Sequence, residues 1–339
     1  MFATTFTKGG AIGYLVEDYN SYVSYARNII NIERILASSS PITVDVLFDA
    51  VNQHKSDSNP DNLKFLLEKA FAQKNIDPNI KYSTTRDTLL HTALHSYDIV
   101  EFLLEKRADP NILDNFGNTP LHDIITRPTI TEQNRTIVTE LLLQNGALTE
   151  LKNAYNWTAI QLAVSGKNIK IVKLLVQYGA NLNVIIPHSN DINSNKSLIE
   201  LVSKKQPELK AFLKLATAYV NNNLSIVDDS VTTEDIKEFM KWKISTSPKY
   251  TSSNTKACFK YLHELQNFIR CLETKSEVIK QEIQKLNDYL KLTDLVLSKM
   301  VEKPDIYKYK ADILPEILTE QLEESGIKLT GEINELSTE

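Results

Sequence analysis

Apolar residues recur along this chain in short blocks at helical spacing, and each block follows a polar turn. Ile99-Val100-Glu101-Phe102-Leu103-Leu104, the run from Ile137 to Leu143 and the run from Ile171 to Val176 each carry the stripe of a half-buried helix. Ahead of each lies a shorter helical block opened by a hydroxyl residue: Thr88-Leu89-Leu90-His91, Thr119-Pro120-Leu121-His122 and Thr158-Ala159-Ile160-Gln161. A threonine there caps a helix by accepting from a backbone N–H of the first turn, and Pro120 at the first helical position has no N–H to lose. The longer block is closed in turn by Ala108-Asp109-Pro110-Asn111, Gly146-Ala147 and Gly179-Ala180-Asn181-Leu182-Asn183. The pattern predicts three helix–turn–helix units in succession.

The connecting residues carry their own backbone chemistry. Asp114 to Thr119 reads as a tight turn in which Gly117 sits where φ must be positive. Asn156 takes the same place one unit later, and asparagine is the next-best residue for it. Gly146 and Gly179 suit left-handed caps at the end of the longer helix. Asn75 holds the matching place in an earlier, weaker copy, and Arg107 departs from the rule.

One such unit cannot bury its own apolar face, so neighbours must stack into a continuous core. Worn end copies are then expected. Val44 to Val51 and Leu63 to Leu67, followed by Asp77-Pro78-Asn79-Ile80, form one; Ser197 to Val202 and Leu209 to Leu215 form another, read as lacking the polar signature. Thr88 and Thr119 lie 31 residues apart and Thr119 and Thr158 lie 39 apart, the excess falling mainly at Arg127 to Asn134. A second insertion, Ile186 to Asn195, precedes the last copy. Both read as surface loops, because stacked helices cannot absorb extra residues.

The Thr-Pro-Leu-His block, its echoes and the three signals in fixed order resemble the ankyrin repeat, with its period of about 33 residues and its T-P-L-H-x-A signature. The resemblance covers residues 42–216: clear repeats at 84–113, 114–152 and 153–185, and degenerate ones at 42–83 and 186–216. It implies an all-α solenoid with β-turn tips, in which the motif histidine hydrogen-bonds neighbouring turns. It also implies protein recognition by the tips and the concave face. The corresponding positions are Asp87 in the first clear repeat, Asn115, Phe116 and Asn118 in the second, and Ala154, Tyr155 and Trp157 in the third. The three aromatics carry most weight, since they supply large rigid contact area. Trp157 has a second reading, packing between adjacent turns.

Flanking segments are helical in pattern. Residues 12–37 place Leu15, Tyr19, Tyr22, Ala26 and Ile29 on one face, so 1–41 reads as an N-terminal capping helix. From Leu262 to Met300, ten of twelve positions spaced three and four apart are apolar, the period of a coiled-coil seam. Residues 217–303 therefore read as a helical domain, packed within the chain or self-associating through 262–300. Residues 304–339 carry nine acidic against three basic residues and read as an acidic tail.

Chemistry is sparse. Net charge is −5 and no basic cluster marks a nucleic-acid footprint. His91 and His122 belong to the repeat motif, and His91 with His95 lacks a third metal ligand. Neither a phosphate-binding glycine loop nor a nucleophile elbow occurs. No catalytic residue, cofactor or metal is expected. Cys258 and Cys271 would stand about 20 Å apart on one helix, outside disulfide reach, which fits a reducing compartment. Met1 to Gly13 lacks a signal-peptide pattern and no run reaches 18 apolar residues, so a cytoplasmic protein without a membrane span is expected. Ile313-Leu314-Pro315-Glu316-Ile317-Leu318 resembles the Leu-Pro-x-Glu opening of F-box and PRANC segments, which recruit host ubiquitin ligases, but no residue separates Pro315 from Glu316. The leading expectation is a non-catalytic interaction scaffold. The alternatives are a secreted effector or adaptor using that segment, and an enzyme whose catalytic part lies in 217–339.

Overall fold

The computed structural model describes residues 32–36, 41–54, 60–73, 76–186, 196–203, 205–246 and, from 260 to 272, residues 260, 261, 263–265, 267, 268 and 272. The chain divides into two compact units, 1–202 and 203–339. Residues 186–216, expected as one degenerate repeat, straddle this division.

Unit one is a two-layer stack of helices. Its inner layer comprises α1 (Val44–Gln53), α3 (Leu89–Ala93), α5 (Pro120–Thr126), α7 (Ala159–Ser165) and α9 (Leu198–Leu201), each packed on the next. The outer layer comprises α2 (Asp61–Phe71), α4 (Tyr97–Glu105), α6 (Glu132–Gln144) and α8 (Ile169–Gln177), each paired with the inner helix that precedes it. Residues 32–36 are helical, and the Leu36 carbonyl accepts from Lys69 Nζ at 3.4 Å; the rest of the expected N-terminal helix lies outside the described residues.

Inner helices are short because an acceptor caps one end and a turn closes the other. The hydroxyls of Thr43, Thr88, Thr119 and Ser197 each accept from the backbone N–H three residues on, a device worth about 1 kcal/mol per helix. Leu89, Leu90, Leu103, Leu121, Ile124, Val138, Leu142, Ile160, Val172 and Leu175 are fully buried between the layers. Truncating any one to alanine removes contacts that neighbours cannot refill, at about 2–5 kcal/mol.

Three of the four outer helices, α4, α6 and α8, end alike. Ala108, Ala147 and Ala180 each donate a backbone N–H five residues back, to the carbonyls of Leu103, Leu142 and Leu175, at 2.9, 3.0 and 2.9 Å. The preceding residue is left-handed in each: Arg107 at φ 68°, Gly146 at 86° and Gly179 at 82°. Arg107 thus keeps the turn that its side chain disfavours; the departure lies in the residue, not in the backbone.

A side-chain ladder links successive closing loops. Asn79 Oδ1 accepts from the Asp109 N–H (2.7 Å), Asn111 Oδ1 from that of Leu148 (2.8 Å) and Glu150 Oε1 from that of Asn181 (2.9 Å). Each bond joins one repeat to the next at a fixed register, so it sets the superhelical rise without adding core.

Unit two contains α10 (Pro207–Asn221), a 3-10 turn at Leu224–Ile226 and α11 (Thr233–Ser245). Phe212, Tyr219, Phe239, Trp242 and Phe268 interlock with ring centroids 4.9 to 6.4 Å apart, the edge-to-face range that aromatic pairs prefer. Leu265, Phe268 and Leu272 are buried. Lys243 Nζ lies 4.5 Å from the Tyr219 ring centre, 5.1 Å from Tyr261 and 5.7 Å from Trp242, so its charge faces aromatic π-clouds while burial lowers its pKa. The buried Lys214 ammonium is held by Asp228 at 2.6 Å and Ser230 at 2.8 Å. The heptad pattern past Leu272, and the segment Ile313 to Leu318, lie outside the described residues.

Candidate interaction face of the repeat stack

Between repeats the chain makes fingers that project from the inner helices. The second finger is shaped by Asp114, whose carboxylate accepts from the N–H groups of Phe116 (2.8 Å) and Asn118 (2.7 Å). Asn153 does the same in the third, accepting from Tyr155 and Trp157 at 3.0 Å each. These two organisers carry no aromatic or motif signal; their sign in the sequence is an Asx residue two places before the apolar tip. The left-handed place falls to Arg86 (φ 58°), Gly117 (67°) and Asn156 (64°) in the three fingers.

Fingers are joined to one another. The Asn115 N–H donates to the Thr85 carbonyl at 3.0 Å, and the Ala154 N–H to the Phe116 carbonyl at 2.9 Å. Asn115 Nδ2 adds a bond to the Thr84 carbonyl, and Asn153 Nδ2 one to Asn118 Oδ1. A Cβ on Gly117 would stand 2.8 Å from the Ala154 nitrogen, so that position needs glycine for both φ and space.

The motif histidines hold each finger from beneath. His91 Nδ1 accepts from the Thr88 N–H (3.2 Å) and lies 2.8 Å from its hydroxyl, leaving Nε2 to donate to the Asn118 carbonyl at 3.2 Å. His122 repeats this with Thr119 and the Trp157 carbonyl, at 3.2, 2.8 and 3.1 Å. These partners require the neutral tautomer protonated on Nε2. Burial lowers the pKa of both rings in the same sense, against the raising pull of nearby acids and of the carbonyls that accept from them.

Later copies change the residue and keep the geometry. Gln161 Oε1 accepts from Thr158 N–H at 2.7 Å, and its Nε2 donates to the Ile185 carbonyl at 3.2 Å. Ser197 N–H and hydroxyl donate to Glu200 at 2.7 and 3.1 Å. The fourth copy therefore does carry the polar signature, as Ser-x-x-Glu, which corrects the reading of it as absent. A carboxylate has no hydrogen to pass to a further finger, so the donor series that begins at His91 ends at Glu200. In its finger Ile185–Ile186 (β1) pairs antiparallel with Lys196–Ser197 (β2).

The seven expected binding positions are placed as follows. Phe116 and Tyr155 project from adjacent fingertips, 59% and 70% exposed. Ala154 is exposed beside Tyr155. Asn115, also exposed, and Asn118, half-buried, use their side chains on neighbouring fingers. Asp87 and Trp157 are half-buried. Ile185, 59% exposed on the fourth finger, extends the apolar row and was not singled out in the sequence, because its finger is interrupted by the insertion. On the inner helices below, Asp123 is paired with Arg127 at 3.1 Å; burial raises the Asp123 pKa, opposed by Arg127 and then by His91. Among the described residues no group of three or more His, Cys, Asp or Glu side chains could hold a metal ion, and no helix is long and apolar enough to cross a membrane.

A run of paired helices with fingers hydrogen-bonded from repeat to repeat defines a helical repeat solenoid. A family model described as "Ankyrin repeats (3 copies)" matches residues 47–128 and 113–186. An ankyrin repeat protein of Rickettsia bellii is 40% identical over 329 residues, covering 87% of this chain and 91% of that protein. A second from the same species is 40% identical over 261 residues, 76% of each chain, and one from Rickettsia felis is 36% identical over 220 residues, 63% of this chain and 78% of that protein. The chain belongs to the ankyrin repeat family.

Proposed function

We propose that this protein binds a protein partner through the row of fingers formed at residues 81–88, 113–119 and 152–158, together with 185–186 and 196–197, and the inner helices beneath them. Ankyrin stacks are protein-interaction modules, so the open question is which face makes contact. The observation that carries the choice is the pair Phe116 and Tyr155. These rings lie on fingers fixed by the Ala154–Phe116 backbone bond, so both are presented rigidly and largely exposed. Exposed aromatics on a preorganised backbone lose little entropy on binding and are frequent anchors of interfaces.

The test is capture of partners by the immobilised full chain, compared with Phe116→Ala/Tyr155→Ala and with Phe65→Ala on outer helix α2 as control. The fingertip variant is expected to lose its partners with thermal stability unchanged, and the α2 variant to keep them. Unchanged capture by the fingertip variant would refute the assignment of this face.

A further inference from the structure

The fingers carry more basic than acidic residues, the opposite of the chain as a whole. The fingers carry Arg86, Lys152 and Lys196, all exposed, and none of the three makes an ion pair within 4 Å among the described residues. Lys81, on the first finger, reaches across to the second, donating to the Leu113 carbonyl at 3.1 Å. Against these four cations the described finger residues carry two acids, Asp87 and Asp114. Asp114 is buried and accepts two backbone N–H groups, Asp123 is paired with Arg127, and Glu200 is held by Ser197. On the fingers themselves that leaves Asp87, half-buried; on the inner helices Asp45, Asp49 and Glu200 are exposed. The whole chain is nonetheless acidic, at −5.

Apolar and basic side chains alternate along the row: Arg86, then Phe116, then Lys152 and Tyr155, then Ile185 and Lys196. Neighbouring fingers are joined by backbone hydrogen bonds or, for the last, by the Gln161 amide to Ile185, so the row is a fixed template and not a set of independent loops. A segment that crosses it meets a cation or an apolar surface at every finger, and both at the third and fourth.

Resting on the reading of this face as the docking surface, we infer that its partner presents an extended acidic segment with aromatic or aliphatic side chains set among the carboxylates. Carboxylates complement Arg86, Lys152 and Lys196, speeding encounter and discriminating against basic segments, while the apolar side chains supply the desolvated contacts with Phe116, Tyr155 and Ile185. A neutral apolar segment would leave three cations beside a dehydrated contact, and a basic one would be repelled.

The experiment uses the full chain as bait for a random-peptide display library, followed by titration of the synthesised consensus peptide. Support requires a consensus rich in Asp and Glu with interspersed apolar residues. Its affinity should fall at least about tenfold with Arg86→Glu/Lys152→Glu/Lys196→Glu, by a similar factor with Phe116→Ala/Tyr155→Ala, and steadily with added salt. A neutral or basic consensus still lost in the aromatic variant would overturn the acidic partner and leave the finger face standing. A consensus indifferent to the aromatic variant, or no enrichment at all, would overturn both. Circular dichroism of each variant checks that the stack is intact; should the triple charge reversal unfold, Arg86→Gln/Lys152→Gln/Lys196→Gln replaces it.

Discussion

The side-chain amide of Gln161 donates to the carbonyl of Ile185 at 3.2 Å, in the place where the preceding repeat uses a histidine ring. His122 reaches the Trp157 carbonyl at 3.1 Å with the same pair of contacts, one to its own helix cap and one to the next finger. An imidazole and a carboxamide are interchangeable here because each offers an acceptor and a donor at opposite ends of a planar group.

His122→Gln is therefore expected to keep the stack nearly intact, within about 1 kcal/mol, whereas His122→Ala strands the Thr119 N–H and the Trp157 carbonyl in a buried site at about 2–4 kcal/mol. Urea unfolding of the two variants checks this. Equal losses would show that the ring contributes by packing and not by its bonds.

Acid should weaken the stack through the same residues. Burial depresses the pKa of His91, His95 and His122, so in a window below about 6.5 the unfolded chain binds protons that the folded chain refuses. Their contribution is present in full above that value and is lost as pH falls through the window toward the lower folded pKa values. Unfolding midpoints measured from pH 7.5 to 5 should fall, and the fall should be shallower in His91→Gln/His122→Gln. An identical slope in that variant would place the acid sensitivity elsewhere.

Two glycines with similar φ predict unlike costs. Gly117→Ala meets both a left-handed backbone and the Ala154 nitrogen at 2.8 Å, and is expected to lose more than about 2 kcal/mol while pushing adjacent fingers apart. Gly146→Ala finds nothing within 4 Å and bears only the conformational cost, about 1 kcal/mol. Thermal melts of both decide it; the reverse order would mean that the fingers yield freely.

Lys214 and Asp228 are unequally buried, with side chains 7% and 62% exposed. Asp228→Ala leaves an ammonium without its carboxylate in a buried site, at roughly 1–2 kcal/mol after allowance for solvent screening and for the remaining Ser230 bond. Lys214→Met keeps the stem and removes the charge, and should cost less than about 1 kcal/mol. Hydrogen exchange of α10 reads both; a costlier Lys214→Met would show that the ion pair stabilises more than the isostere.

The sequence by itself determined the helices, their caps and the repeat. Those depend on neighbours within a turn or two: a threonine before an apolar block, a glycine after one, and stripes at a spacing of three and four. The family assignment and the positions of the first three fingers follow from the same local code. The sequence also aligned Gln161 with His122, but only the tertiary structure decided that Glu200 belongs to the same series and that each of them bonds back to its own helix cap. Gln161 and Glu200 share no letter with His122, and their kinship lies in what they touch; for Gln161 that is a carbonyl 24 residues away in the chain. Exposure was likewise beyond reading. Phe116 and Trp157 are both finger aromatics, yet one projects and the other is half-buried, because burial at a fingertip depends on where the next repeat sets its backbone. The charge of the fingers was hidden for the same reason: Asp114 counts as a charge in a composition but is buried within its finger, where it accepts two backbone N–H groups.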